Sequence, residues 1–236
     1  MTSSHHPLTE FAFLKLTPPT TLQHPQLISG LLAGIKAQHA WSVYPVHLFI
    51  HQSREGEPSA LKDSSNTKTT SIYIMAGWAS LEAHEKLMAS PESKEIMRSF
   101  GEANLLSLGG LAHLDIDFTK LSFGECSHII WRKRGVNDAV SWEDTIGQDI
   151  DKSGSEGKLK ARRIWSYRGR AIDEGVEDEY ELIGFSDGEL PEVGEEYKIL
   201  RKWDIEALSG MARIRGREKA ISFVYTRQKK LACATG

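Results

Sequence analysis

The chain has 236 residues, 40% of them hydrophobic and 26% charged, with a formal net charge of −3. That suits one large globular domain or two small ones. The near-neutral balance, with no basic stripe, argues against nucleic-acid binding, and the longest apolar runs are too short for a membrane span. Two cysteines, Cys126 and Cys233, make no disulfide framework. The opening MTSSHHPLTE lacks the basic and apolar regions of a signal peptide, so the expectation is a soluble, cytoplasmic protein.

Residues 1–9 read as a polar leader, followed by a short strand, Phe11 to Leu16, which Pro18 and Pro19 end. Leu27, Ile28, Leu31, Leu32 and Ile35 recur at helical spacing, which predicts a helix from Pro25 to Gln38 with proline in its first turn. Val43 to Gln52 alternates like a strand, and a polar loop follows it. Ser71 to Trp78 is the third strand. Ser80 is placed to cap a helix carrying Leu81, Leu87 and Met88, and Ser90-Pro91 to restart it with Ile96, Met97 and Phe100. Leu111 to Phe118 alternates as a fourth strand.

The second half repeats this order weakly. Cys126 to Lys133 is a strand, and Val140, Ile146 and Ile150 suggest a short helix. Ala161 to Ile172 and Glu179 to Phe185 form a hairpin across the acidic turn DEGVED. Pro191 opens a helix bearing Val193, Tyr197, Leu200, Trp203 and Ala207, and Lys219 to Thr226 closes the unit as a strand. Gly77-Trp78 aligns with Gly184-Phe185, each ending a third strand. Each half would leave one sheet face uncovered, and packing the two faces together covers both. The expected fold is α+β: two ferredoxin-like βαββαβ halves, residues 10–120 and 121–230, packed as an intramolecular dimeric α/β barrel.

The stretch IYIMAGWASLEAHEKLMASPE, Ile72 to Glu92, resembles fungal proteins of the antibiotic biosynthesis monooxygenase superfamily. In that pattern a third strand ends in Gly-Trp and Ser-x-Glu-Ala-His opens the next helix. The matching positions are Gly77, Trp78, Ser80, Glu82, Ala83 and His84. The strand carrying His113 and Asp115 resembles the fourth strand of the same unit. The second half departs from the pattern, with Phe185 answering Trp78 and Pro191 falling where His84 would be. The resemblance implies a dimeric α/β barrel and cofactor-independent oxygenation, cyclisation, dehydration or decarboxylation of aromatic and polyketide substrates. Haem degradation occurs in some branches.

Strand parity selects candidate site residues, because successive side chains point to opposite faces. His47, Phe49 and His51 share one face of the second strand, and His113, Asp115 and Asp117 share one face of the fourth. The functional reading makes His113 the principal acid/base, Asp115 its orienting carboxylate, and His47 or His51 a further polar contact. Phe49, Tyr73, Trp78 and His84 would line the substrate site. The plainer reading makes His113 and Asp115 a structural hydrogen-bonded pair, leaves His47 and His51 exposed at an edge, and has His84 pack on Trp78. His47 and His51 lie about 13 Å apart along a strand, too far to share a metal. A facial set of His47, His113 and Asp115 would need the sheet to curl, so no metal or other cofactor is expected. The expected function is a cofactor-free enzyme of fungal secondary metabolism acting on a polyketide-like or aromatic small molecule. A non-catalytic binding or stress-response protein and a haem protein are the alternatives, and a homodimer is left open.

Overall fold

The computed structural model describes residues 6–51, 70–134, 159–173, 175–191, 193 and 197–205. In chain order these form β1 (Leu8–Leu16), α1 (Pro25–Ser42), β2 (Val46–His51), β3 (Ser71–Trp78), α2 (Leu81–Ala89), α3 (Pro91–Glu102), β4 (Leu106–Leu114), a 3-10 turn (Phe118–Lys120), β5 (His128–Arg134), β6 (Arg163–Arg170), β7 (Glu179–Phe185) and β8 (Lys198–Lys202). The architecture is a mixed α+β one in which three helices accompany a single curled antiparallel sheet. Among the described residues no helix is long and apolar enough to cross a membrane.

The eight strands are ordered β4-β1-β3-β2-β8-β5-β7-β6. The two outer strands meet: Leu114 bridges Ala171, the Asp115 N–H donates to the Arg170 carbonyl at 3.0 Å, and the Ile172 N–H donates to the His113 carbonyl at 2.9 Å. The order is the same in each set of four strands, since 4-1-3-2 becomes 8-5-7-6 when counting restarts at β5.

Strand alternation then sorts the side chains into two layers. Phe11, Phe49, Tyr73, Met75 and Leu114 point into the sheet's concave side, where they meet Ile129, Trp131, Leu182 and Leu200 in one core. Leu14, Leu48 and Ile72 point outward against Leu27, Leu31 and Phe100 of α1 and α3. Each such side chain, once fully buried, contributes about 1.5–3 kcal/mol. Gly77 faces inward, where a Cβ would come within 2.5 Å of the Phe118 ring and 2.8 Å of the Tyr44 ring. The glycine of the Gly-Trp pair is thus required by close approach of two aromatic rings.

The helix starts are those expected from the sequence. Ser80 Oγ accepts from the Ala83 N–H at 3.2 Å, and Ser90 Oγ accepts from the Ser93 N–H at 3.1 Å. α1 runs one turn beyond the expected end, to Ser42, and stops where Val43 takes a left-handed conformation at φ 59°.

Two sequence readings need correction. The fourth strand is Leu106–Leu114 and ends before Asp115. Beyond it Asp117 caps the 3-10 turn, accepting from the Thr119 N–H at 3.0 Å, so the apparent alternation to Phe118 spans a strand end and a turn. In the second half, Lys198–Lys202 is a strand where a helix was expected. Tyr197, Leu200 and Trp203 mimic a helical period, but Leu200 lies in the barrel core while Ile199 packs on the opposite face with Ile130 and Phe185. The expected helix over residues 140–150 and the strand over residues 219–226 lie outside the described residues.

Candidate active site

Glu10 sits on the outward face of β1, directly opposite His113 of β4 on one side and Ala76 of β3 on the other. Trp78, at the end of β3, and His84, in the first turns of α2, close over the same spot, their rings 4.8 Å apart. Gln38 reaches in from α1. The Trp78 indole N–H and the Gln38 side-chain amide (2.7 Å) both donate to Glu10 Oε2. Glu10, Trp78, His84 and His113 are all buried, from 0 to 6% exposed.

A chain of contacts leads away from Glu10. Nε2 of His84 stands 3.8 Å from Glu10 Oε2, Nδ1 of His84 is 2.8 Å from Nε2 of His113, and Nδ1 of His113 is 2.7 Å from Asp173 Oδ1. The second Asp173 oxygen accepts the His113 backbone N–H at 2.7 Å. A carboxylate only accepts, so His113 carries its proton on Nδ1. In a neutral His113 the Nε2 lone pair then accepts from the Nδ1–H of His84, and the remaining lone pair, on His84 Nε2, faces Glu10.

Burial drives the electrostatics. Desolvation raises the Glu10 pKa above its ordinary value, against the opposing donors Trp78 and Gln38 and the charge of His113. Desolvation, reinforced by His113, lowers His84 to about 4, while Asp173 pulls the other way. His84 is therefore a neutral imidazole near pH 7.

Glu10 and His84 form the polar end of a crevice of about 160 Å³ between the sheet and the three helices. Its other walls include Ala12, Leu31, Gly34, Ile74 and Phe100. Met88, Met97, Leu108 and Leu111 also line it and are 39 to 56% exposed, so its mouth is apolar as well. A 150 Å³ apolar cavity holds a molecule of benzene size. The crevice thus has room for about one aromatic ring, and anything larger would extend over these four side chains.

The sequence-derived candidates divide among three places. Trp78, His84 and His113 come together at the crevice. His47, Phe49 and Tyr73 point to the other side of the sheet, into the barrel core: the His47 ring lies 4.5 Å from Phe123, and Phe11 and Tyr73 stack at 5.9 Å. His51 shares their parity, opposite Leu200 of β8. Burial, aided by Lys202, lowers His47 to about 4. Asp115 does not orient His113. It lies past the strand end, 53% exposed and 3.3 Å from His6. Asp173 takes that place, from the turn between β6 and β7. Sequence reading missed Glu10, Gln38 and Asp173. Glu10 was one residue outside the expected first strand, and only the observed register puts it beside His113.

No protein-family model and no curated protein matches the sequence. Solved structures do resemble the fold. One is a protein named as a candidate monooxygenase from Fusobacterium nucleatum, at TM-score 0.45 and 10% identity over 84% of this chain and 93% of that one. A second protein so named, from Lactobacillus acidophilus, has TM-score 0.37 and 11% identity over 76% and 77%. A mutant chlorite dismutase from Candidatus Nitrospira defluvii gives 0.45 and 10% over 88% and 95%. Likeness at this level concerns the outline of the fold, so the chemistry must be read from this chain's own residues.

Proposed function

We propose that the chain is a small-molecule enzyme of the antibiotic biosynthesis monooxygenase type, built from two ferredoxin-like halves over residues 10–120 and 121–230. Its substrate is an aromatic or polyketide-like molecule of fungal secondary metabolism, and its chemistry is proton transfer of the kind that cyclises, dehydrates or enolises. The observation that carries this reading is the Asp173–His113–His84 chain, which ends on a lone pair beside an apolar crevice. His84, the histidine that lines the crevice, takes a proton from an activated C–H of the substrate at Nε2 and passes its Nδ1 proton to His113. Asp173 holds the imidazolium that results. His113 works through His84 and stands behind it. Glu10, with its raised pKa, faces the same end and can give a hydrogen bond to a developing enolate oxygen. The step draws on side chains alone.

Haem ligation by His113 would require its Nε2, 2.8 Å from His84, to leave that contact. A binding protein without turnover would use the same crevice, and one experiment separates the two. An enolisable aryl ketone of one or two rings is incubated with the protein in deuterated water, and loss of its acidic C–H signal is followed by NMR. Catalysed exchange that falls about 100-fold in His84→Ala supports the enzyme. Binding without exchange supports the binding protein. Gly34→Leu fills the crevice from α1, where a Cβ meets only Ile96 at 3.9 Å, and should abolish both.

A further inference from the structure

We propose that Glu10, His84 and His113 form a binding site for one divalent transition-metal ion of the zinc type. It rests on the same cluster as the proposed function but describes another state of it. One ligand atom from each of the three residues lies within 4.8 Å of the others, and all three are buried. The donor set, two imidazoles and a carboxylate, is one that holds zinc with a fourth position left open.

The separations suit an ion. Ligand atoms bound at 2.0–2.1 Å around a tetrahedral centre stand about 3.3 Å apart. His84 Nδ1 to His113 Nε2 is 2.8 Å and His84 Nε2 to Glu10 Oε2 is 3.8 Å, values that bracket it. The two distances belong to different nitrogens of His84, so a shared ion uses one of them and draws together a set of ligand atoms that lie within 4.8 Å of one another.

The surroundings supply a second, independent indication. Metal-ligating histidines characteristically donate their other ring N–H to a carboxylate, which fixes the tautomer and the ring plane. Asp173 does this to Nδ1 of His113 and also clamps the residue's backbone N–H, both at 2.7 Å. Glu10 is likewise held, by Trp78 and Gln38. Burial favours the neutral acid of Glu10, and a bound cation would hold it as the carboxylate in place of a proton; the described residues provide no Lys or Arg ion pair to it. The crevice gives small molecules a path to the open position, since Glu10 and His84 line it. An ion here takes the His113 Nε2 lone pair that the proton chain requires, so the two states exclude one another.

The test uses the full chain, stripped with chelator and titrated with Co2+ as a spectroscopic stand-in for Zn2+. Expected is one ion per chain, visible as four-coordinate visible-region absorption, with displacement by Zn2+ and a raised melting temperature. Glu10→Gln and His113→Ala should lose it, circular dichroism confirming that each is folded. Asp173→Asn should weaken it by about 10- to 100-fold, and Asp115→Asn should not change it. No uptake at millimolar Co2+, or uptake unchanged in folded Glu10→Gln, overturns the site. Neither outcome depends on turnover, so the site and the proton-transfer reading can fail separately.

Discussion

Glu10 and His113 face each other directly across β1 and β4, and Ile130 and Ile199 take the same two places across β5 and β8. The equivalence follows from register. Leu8 pairs with Trp78 and Glu10 with Ala76, just as His128 pairs with Phe185 and Ile130 with Ile183. Where the first half has Glu10, His113 and Trp78, the second has Ile130, Ile199 and Phe185 in an apolar cluster. At these equivalent positions the first set of four strands is polar and the second is apolar. Ile130→Glu should therefore be far more costly than any surface change, about 3 kcal/mol or more, because the new carboxylate would enter the apolar cluster that includes Ile183, Ile199 and Phe185. Urea denaturation would read the loss directly.

The two aspartates near His113 should behave oppositely. Asp173→Ala strands two donors of a buried residue and should cost about 2–4 kcal/mol. Asp115→Ala removes an exposed partner of His6 and should stay within about 0.5 kcal/mol of the parent. Equal midpoints for the two variants in urea would contradict the assignment of Asp173.

That pair also shows what was legible in the sequence. Capping chemistry correctly starts α2 and α3, and strand parity correctly puts His47, Phe49 and His51 on one face of β2, though Tyr73 and Trp78, expected to line one site, lie on opposite faces of β3. Both signals are local, written within a few residues. The partner of His113 is not local: Asp173 lies 60 residues further on and is brought in by the closure of β4 on the end of β6. Glu10 reaches His113 through a pairing whose register shifts at Phe13/Leu14, which no single-strand pattern encodes. Asp115 looked like the partner because a period-2 pattern continues through a turn that resembles a strand. β8 was misread for the same reason, since five residues cannot distinguish a period of 2 from one of 3.6.

Stability should fall in mild acid, partly through His47. Its folded pKa, about 4, lies below the ordinary 6.5, chiefly because the ring is desolvated. The unfolded chain thus takes up the proton first as pH drops. The contribution of this residue is fully present above pH 6.5 and is lost between 6.5 and 4, amounting to about 2 kcal/mol after allowance for its partial exposure. His47→Phe, which cannot charge and suits a site beside Phe118 and Phe123, should flatten that part of the profile. Melting temperatures at pH 7.5 and 4.5 would show the difference. An unchanged slope would mean that the acid sensitivity comes from other groups.

Val43 ends α1 in a left-handed conformation, φ 59°, while 74% exposed. A β-branched residue is strained there, and asparagine is a residue that tolerates it. Val43→Asn should stabilise the protein by about 1 kcal/mol, seen as a higher urea midpoint with the slope of the transition unchanged. A loss of stability would show that Val43 contributes packing that its exposure does not suggest.

The strongest test of the architecture is to cut it. The concave face of β1–β4 presents Phe11, Phe49, Tyr73, Met75 and Leu114, and β5–β8 cover it with Ile129, Trp131, Leu182 and Leu200. Fully exposing five such side chains would cost about 10 kcal/mol at roughly 2 kcal/mol each, which is as large as the whole stability of a typical domain. Residues 1–120 expressed alone should therefore aggregate, or pair with a second copy that offers the same face in place of β5–β8. Sedimentation equilibrium would distinguish these outcomes from a monomer. A soluble, cooperatively melting monomer would mean that the first four strands bury this face without the second set, and that the two halves are independent domains.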